Sequence, residues 1–295
     1  MDATELRSYY YMVLSSILYG VGGITEFMVL KAINFGTSLI LFAIGGFISL
    51  PSYLYFTKVK TKPKVPKYWL FSCVASFAVI LYVLILYLGY LRFTLASMYS
   101  LVDISALIFL LIDLFRYHTK MRPKILALLV IGVTLVSIGA YFAETENSVF
   151  QVSAIPFALA IATLAGVGYY LQYYRIHKYP VGSKVLFEPV FLLLFGLLFS
   201  PSFAFADISV EYLLLGLLSG IVFVWGSVLE LAAVSFLRTE DTEQAVVKRN
   251  FINDFEYADV LIVLAGSILL GSYYPIEVFG GILIVSGLLI IDLIR

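Results

Sequence analysis

Apolar residues in this chain gather into long runs separated by short polar connections. A membrane helix needs about 20 mostly apolar residues. By that measure, spans are expected near 8–32, 35–56, 68–90, 94–115, 123–143, 152–174, 182–204, 210–234, 244–270 and 275–294. Only the connections 57–67 and 235–243 are substantial. No soluble domain fits anywhere, so function must reside within or between the helices.

The Lys and Arg residues in the connections set the orientation. With the N-terminus in the cytoplasm, the even-numbered connections carry Lys58, Lys60, Lys62, Lys64 and Lys67, then Arg116, Lys120, Arg122 and Lys124, then Arg175, Lys178 and Lys184, then Arg238. Arg7 and Arg295 join them at the two ends. Of 19 Lys and Arg, with Lys248 and Arg249 left aside, only Lys31 and Arg92 fall on the opposite side. That bias fits ten spans with both termini cytoplasmic, in the cell membrane. The first apolar run continues to about Ile33, too long for the core of a signal peptide, so the first helix reads as a span that stays.

Composition agrees. The chain is 62% hydrophobic and 13% charged, where an average globular chain is about a quarter charged. A formal net charge of 0 gives no reason to expect a nucleic-acid partner. The one cysteine, Cys73, excludes an intrachain disulfide and a multi-cysteine metal site. His118 and His177 sit at loop edges without partner ligands, so no metal or other cofactor is expected. The chain has no GxxxxGK[ST] loop for direct ATP drive. No Ser/His/Asp constellation stands out. The chain is therefore not read as an enzyme. A membrane-embedded enzyme using intramembrane Asp and Glu is the alternative from another class.

The two halves resemble each other. GVG at Gly20–Gly22 recurs at Gly166–Gly168, 146 residues on. Leu91-Arg92 closes span three and Leu237-Arg238 closes span eight at the same offset. Gly132 and Gly139 in span five match Gly280 and Gly287 in span ten at an offset of 148. Five spans is an odd number, so the second half enters the membrane with opposite polarity. The expectation is an all-α polytopic membrane protein, ten transmembrane helices as two inverted five-helix repeats, 1–147 and 148–295. Such repeats place their site near the midplane between the halves.

With ILYGVGGITEFMVLKAI in span one, YLRFTLASMYSLVDISALIFLLID entering span four and the glycine pattern of span five, the chain resembles the drug/metabolite transporter superfamily, in particular its EamA-type members. The resemblance covers nearly the whole chain. It implies alternating-access movement of a small organic solute through a central cavity to which spans four and nine contribute. Implied partners are that solute, protons or a counter-substrate, and the lipid bilayer. Lys248-Arg249 resembles a Lys-Arg pair in the ninth span of the organic-phosphate and nucleotide-sugar branch, where the pair helps bind anionic substrate. That implies the alternative of an organic-phosphate or nucleotide-sugar exchanger.

The charges of span nine are its puzzle. The clean apolar part runs only from Val260 to Leu270, too short to span alone. Asn253, Asp254, Glu256 and Asp259 must then lie within the membrane thickness or at its inner edge. An unpaired Asp or Arg at mid-membrane costs roughly 2.5–3.5 kcal/mol, so these groups must pair, face the bundle or line water. On a helix, Val247, Phe251, Ala258 and Ile262 form one apolar stripe. Arg249, Asn253 and Glu256 share the far face, flanked by Asp259, Tyr257 and Asn250. Lys248 and Arg249 read either as substrate ligands or as anchors at the inner surface.

Glu26 lies six residues past Gly20, and Gln172 six past Gly166, so the repeat sets two polar side chains at equivalent depths. Glu26 reads as a proton or cation carrier, or else as an outer-interface residue facing solvent. Asp103, in the middle of span four, falls near the level of Arg249. The cavity set is thus Glu26, Asp103, Gln172, Lys248, Arg249, Asn253, Glu256 and Tyr257. Tyr19, Tyr169 and Tyr170 lie near the same levels. Glu188 precedes the bend expected at Pro189, and Glu230 is expected near the cytoplasmic end of span eight.

Overall fold

The computed structural model describes residues 3–57, 66–100, 123–143, 145–146, 149–150, 155–171, 182–200, 208–236 and 257–292. Among these residues the chain is helical, with ten helices and one small hairpin. The helices are α1 (Ala3–Ala32), α2 (Phe35–Thr57), α3 (Pro66–Tyr90), α4 (Leu95–Ser100) and α5 (Pro123–Ala143). They continue with α6 (Ile155–Leu171), α7 (Gly182–Phe199), α8 (Val210–Phe236), α9 (Tyr257–Leu269) and α10 (Pro275–Asp292). The hairpin joins β1 (Thr145–Glu146) to β2 (Val149–Phe150), with Thr145 opposite Phe150 and Glu146 opposite Val149. No strand was expected here, because two residues per strand show no alternation to read.

Three helical stretches, Leu6–Ala32, Trp69–Tyr90 and Val210–Glu230, are long and apolar enough to cross a membrane. The distribution of side chains between inside and outside is unusual. Leu70, Leu159, Leu198, Leu214 and Leu269 lie on the outside, while Ser8, Ser15, Ser76, Ser219, Glu188 and Glu230 are buried.

Small and hydroxyl-bearing residues let the helices approach. On the α1–α8 contact, Ser8 Oγ donates to the Ala233 carbonyl at 2.9 Å and Ser15 Oγ to the Gly226 carbonyl at 2.8 Å. Farther along, Ser219 Oγ donates to Thr25 Oγ1 at 2.8 Å. Residue numbers rise on α1 as they fall on α8, so the two helices run antiparallel. The α5–α10 contact is closer still. A methyl group added at Gly139 would lie 2.6 Å from the Gly280 carbonyl oxygen, and one at Gly287 would lie 2.6 Å from the Gly132 carbonyl oxygen. This pair is also antiparallel. α2 meets α7 antiparallel, with Gly36 against Ser200, and Thr37 bonded to Ser200 at 3.3 Å.

The remaining contacts keep the same rule. α3 and α6 run antiparallel, with Val79 near Gly168 and Phe157 near Gly89. α3 and α7 run parallel, with Trp69 against Phe187 and Phe77 against Phe191. α1 and α9 run parallel, with Gly20 under Ile262 and Ile24 under Gly266. Pro189 lies inside α7, where it packs over Gly46 of α2. α4 is tied to the start of α10: Thr94 Oγ1 donates to Glu277 Oε2 at 2.7 Å, and that oxygen also accepts the Tyr274 N–H at 2.8 Å.

Candidate functional site

The interior between α1, α3, α4, α8 and α9 encloses a small cavity, and its walls begin with glycine. Gly20 and Gly23 lie on the side of α1 that meets α9. A Cβ at Gly20 would strike Ile262, and one at Gly23 would strike the Tyr99 ring at 2.6 Å. Their bare backbone therefore admits both α9 and the Tyr99 side chain. Gly226 of α8 does the same for Tyr19, whose ring lies directly over it.

Polar groups then converge. Glu26 is only 7% exposed, and the Tyr87 hydroxyl of α3 hydrogen-bonds its carboxyl group. It is thus buried inside the bundle and does not face solvent. Asp259 of α9 is 8% exposed. Its Oδ2 accepts the Tyr99 hydroxyl of α4 at 3.1 Å, and its Oδ1 accepts the Val260 N–H at 2.6 Å. On the α8 side, the Tyr19 hydroxyl bonds Glu230 Oε2 and Ser227 Oγ, each at 2.9 Å. Tyr82 and Phe223 complete the wall, and Phe223 meets the Tyr19 ring edge-on at 6.2 Å. The space open to the centres of water-sized molecules is about 40 Å³, enough for a small number of waters.

The Tyr90 hydroxyl of α3 is fully buried and has no hydrogen-bond partner among the described residues; its ring packs against those of Phe27 and Tyr87, and it does not line the cavity. Among the described residues lining the cavity there is no Lys, Arg or His. Lys31 and Arg92 are elsewhere, against the rings of Phe27 and Phe157. Among the described residues, no cluster of His, Cys, Asp and Glu could hold a metal ion.

Of the cavity residues expected from the sequence, Glu26 lies in this wall. Asp103, Gln172, Lys248, Arg249, Asn253 and Glu256 lie outside the described residues. Tyr257 opens α9, and its side chain also lies outside them. Tyr19, noted for its depth, lines the cavity. Glu188 and Glu230 are both buried. Sequence reasoning missed Tyr82, Tyr87 and Tyr99, and left Asp259 as a mere flank of the span-nine face. A signal was available. Tyr82, Leu86 and Tyr90 follow one another at four-residue steps beside Val83 and Tyr87, which repeats a hydroxyl along one face of an otherwise aliphatic helix.

No family model matches the chain, and no curated protein matches it. A solved structure described only as "Crystal structure of protein" aligns with it at a TM-score of 0.60 and 16% sequence identity. The alignment covers 99% of this chain and 96% of the other, so the two share a fold over nearly their full lengths.

Proposed function

We propose that this chain is an integral membrane protein of ten spans that carries a small organic metabolite by alternating access, through a central cavity between two inverted five-helix halves. The observation that carries the reading is the buried cavity holding Glu26 and Asp259 inside a bundle whose described helices expose many large apolar side chains. Intramembrane carboxyls are costly and mark solute or ion paths. Water-soluble proteins rarely bury carboxyl side chains fully and rarely expose large contiguous apolar patches.

The packing supports the two-halves reading. Exchanging each helix for the one five places away turns α1–α8 into α6–α3 and α2–α8 into α7–α3, and all four contacts exist. The same exchange maps α2–α7 and α5–α10 onto themselves. Within α5–α10 it converts the Gly139–Gly280 approach into the Gly287–Gly132 approach. In each contact described above, odd-numbered helices run parallel to one another and antiparallel to even ones, which fits opposite polarity for helices five places apart. The EamA-type resemblance points the same way, as does the cytoplasmic bias of Lys and Arg. A described lining with two carboxyls and no basic residue favours a metabolite carrier over an organic-phosphate or nucleotide-sugar exchanger.

Purified protein in proteoliposomes tests this against radiolabelled amines, amino acids, sugar phosphates and nucleotides, under imposed proton and solute gradients. The expected result is saturable uptake of one class, lost in Glu26→Gln. If no solute moves under any gradient, the transport reading fails. Uptake of sugar phosphates that is abolished by Arg249→Ala would select the exchanger instead.

A further inference from the structure

We propose that the cavity binds the ammonium head of a small primary amine, between the carboxylates of Glu26 and Asp259 and against the surrounding tyrosine rings. The inference relies on the transport reading for how an amine would reach the site, and on the described side chains for the chemistry that would hold it.

The first ground is charge. Glu26 and Asp259 come from different helices, α1 and α9, and border one enclosed space. Glu26 accepts the Tyr87 hydroxyl, and Asp259 accepts the Tyr99 hydroxyl and the Val260 N–H. No basic side chain joins them among the described lining residues. A bound cation would pair with carboxyls that no described lining residue neutralises.

The second ground is hydrogen bonding. A primary ammonium has three N–H donors. The carboxyl groups of Glu26 and Asp259 border the space from two different helices and can accept them.

The third ground is the wall itself. The rings of Tyr19, Tyr82, Tyr99 and Phe223 line the space, and an aromatic wall attracts cations through the ring faces. The open volume of about 40 Å³ suits an ammonium head, which is close to water in size, better than a quaternary nitrogen or a sugar ring.

Thermal melting of the full chain in detergent, titrated with butylammonium chloride, 1-butanol and sodium butyrate at matched ionic strength, separates charge from apolar character. Butylammonium alone should raise Tm, and should do so saturably. Glu26→Gln and Asp259→Asn should each weaken its apparent affinity by roughly tenfold or more. Phe223→Leu keeps the wall apolar but removes one lining ring, so it should fold and bind butylammonium more weakly. If both carboxyl variants fail to fold, Phe223→Leu decides.

Equal shifts from butanol and butylammonium would overturn the proposal, as would a shift from butyrate alone. Unchanged butylammonium affinity in Phe223→Leu would also overturn it. Butylammonium binding without flux of any solute in proteoliposomes would sink the transport reading and leave this site standing. Flux of another solute with no butylammonium binding would do the reverse.

Discussion

At the residue scale, two neighbouring glycines of α1 have different duties. A methyl group at Gly22 would find its nearest neighbour, Val222 Cγ1, at 3.5 Å, which is an ordinary contact. One at Gly23 would meet the Tyr99 ring at 2.6 Å and Val263 at 3.3 Å. Tyr99 is tethered by its hydroxyl to Asp259, so it cannot retreat without breaking that bond. Gly23→Ala is therefore expected to cost about 1–3 kcal/mol by overpacking, whereas Gly22→Ala should be close to neutral. In a Tyr99→Ala background most of the Gly23→Ala cost should disappear, since the two sites share one contact. Melting curves of the four proteins in detergent form the cycle. Additive effects would show that Tyr99 does not rest on Gly23. The same residues show why the site was only partly legible in the sequence. Glu26 stands out because a carboxyl interrupts an apolar run. Asp259 was half legible, because it falls at the edge of a longer charged face. Tyr87 and Tyr99 were hidden among 22 tyrosines, a residue equally at home at a membrane surface or in a core.

At the element scale, the apolar runs marked helix positions well because Lys, Pro and Gly clusters bound them. Span five, expected at 123–143, is the helix Pro123–Ala143, and span two, expected at 35–56, is Phe35–Thr57. What the runs could not reveal is which helices touch, since partner choice rests on small residues whose neighbours are distant in sequence. Gly132, Gly139, Gly280 and Gly287 were noticed as a repeat, but not as two mutually facing pairs. Their geometry makes a test. At Gly139 and at Gly287 an added methyl would press on a carbonyl oxygen of the other helix at 2.6 Å, and backbone cannot swing aside as a side chain can. Helix association in lipid depends on such close packing. Gly139→Ala and Gly287→Ala are each expected to lower stability by about 1–3 kcal/mol, and by similar amounts. Gly271→Ala is the contrast. Its φ of 66° lies in the left-handed region and nothing lies within 4 Å, so only conformational strain of about 1–2 kcal/mol applies, with no change in helix contacts. Crosslinking between cysteines on α5 and α10 should therefore weaken in the Gly139 and Gly287 variants and persist in Gly271→Ala. A strong effect at Gly139 with none at Gly287 would break the paired relation.

At the scale of the whole molecule, the decisive question is which ends of the helices share a side. Arg7 and Lys31 lie near opposite ends of α1, and both are exposed. Arg92 follows α3 and is exposed as well. α1, α2 and α3 follow one another in the chain, and strict alternation returns the start of the α3–α4 connection to the side of Lys31. In the proposed ten-span arrangement, the Lys and Arg bias would put that side outside. With Cys73 replaced by serine, single cysteines at these positions read the arrangement directly. In intact cells a membrane-impermeant maleimide should label Lys31→Cys and Arg92→Cys, and should label Arg7→Cys only after permeabilisation. A helix miscounted between α1 and α3 would separate Lys31 from Arg92. A chain lying on the membrane rather than through it would label all three alike. The same pattern bears on the cavity. Glu26 sits one and a half turns before Lys31 on α1 (about 7.5 Å along the axis at 1.5 Å per residue), so external labelling of Lys31→Cys would set Glu26 in the outer part of the bundle. Tyr19, two turns earlier on α1 and bonded to Glu230, would then mark the inward end of the same cavity. Alternating access requires a site that can be reached from both faces, and Tyr19 and Glu26 line one cavity from positions two turns apart on α1.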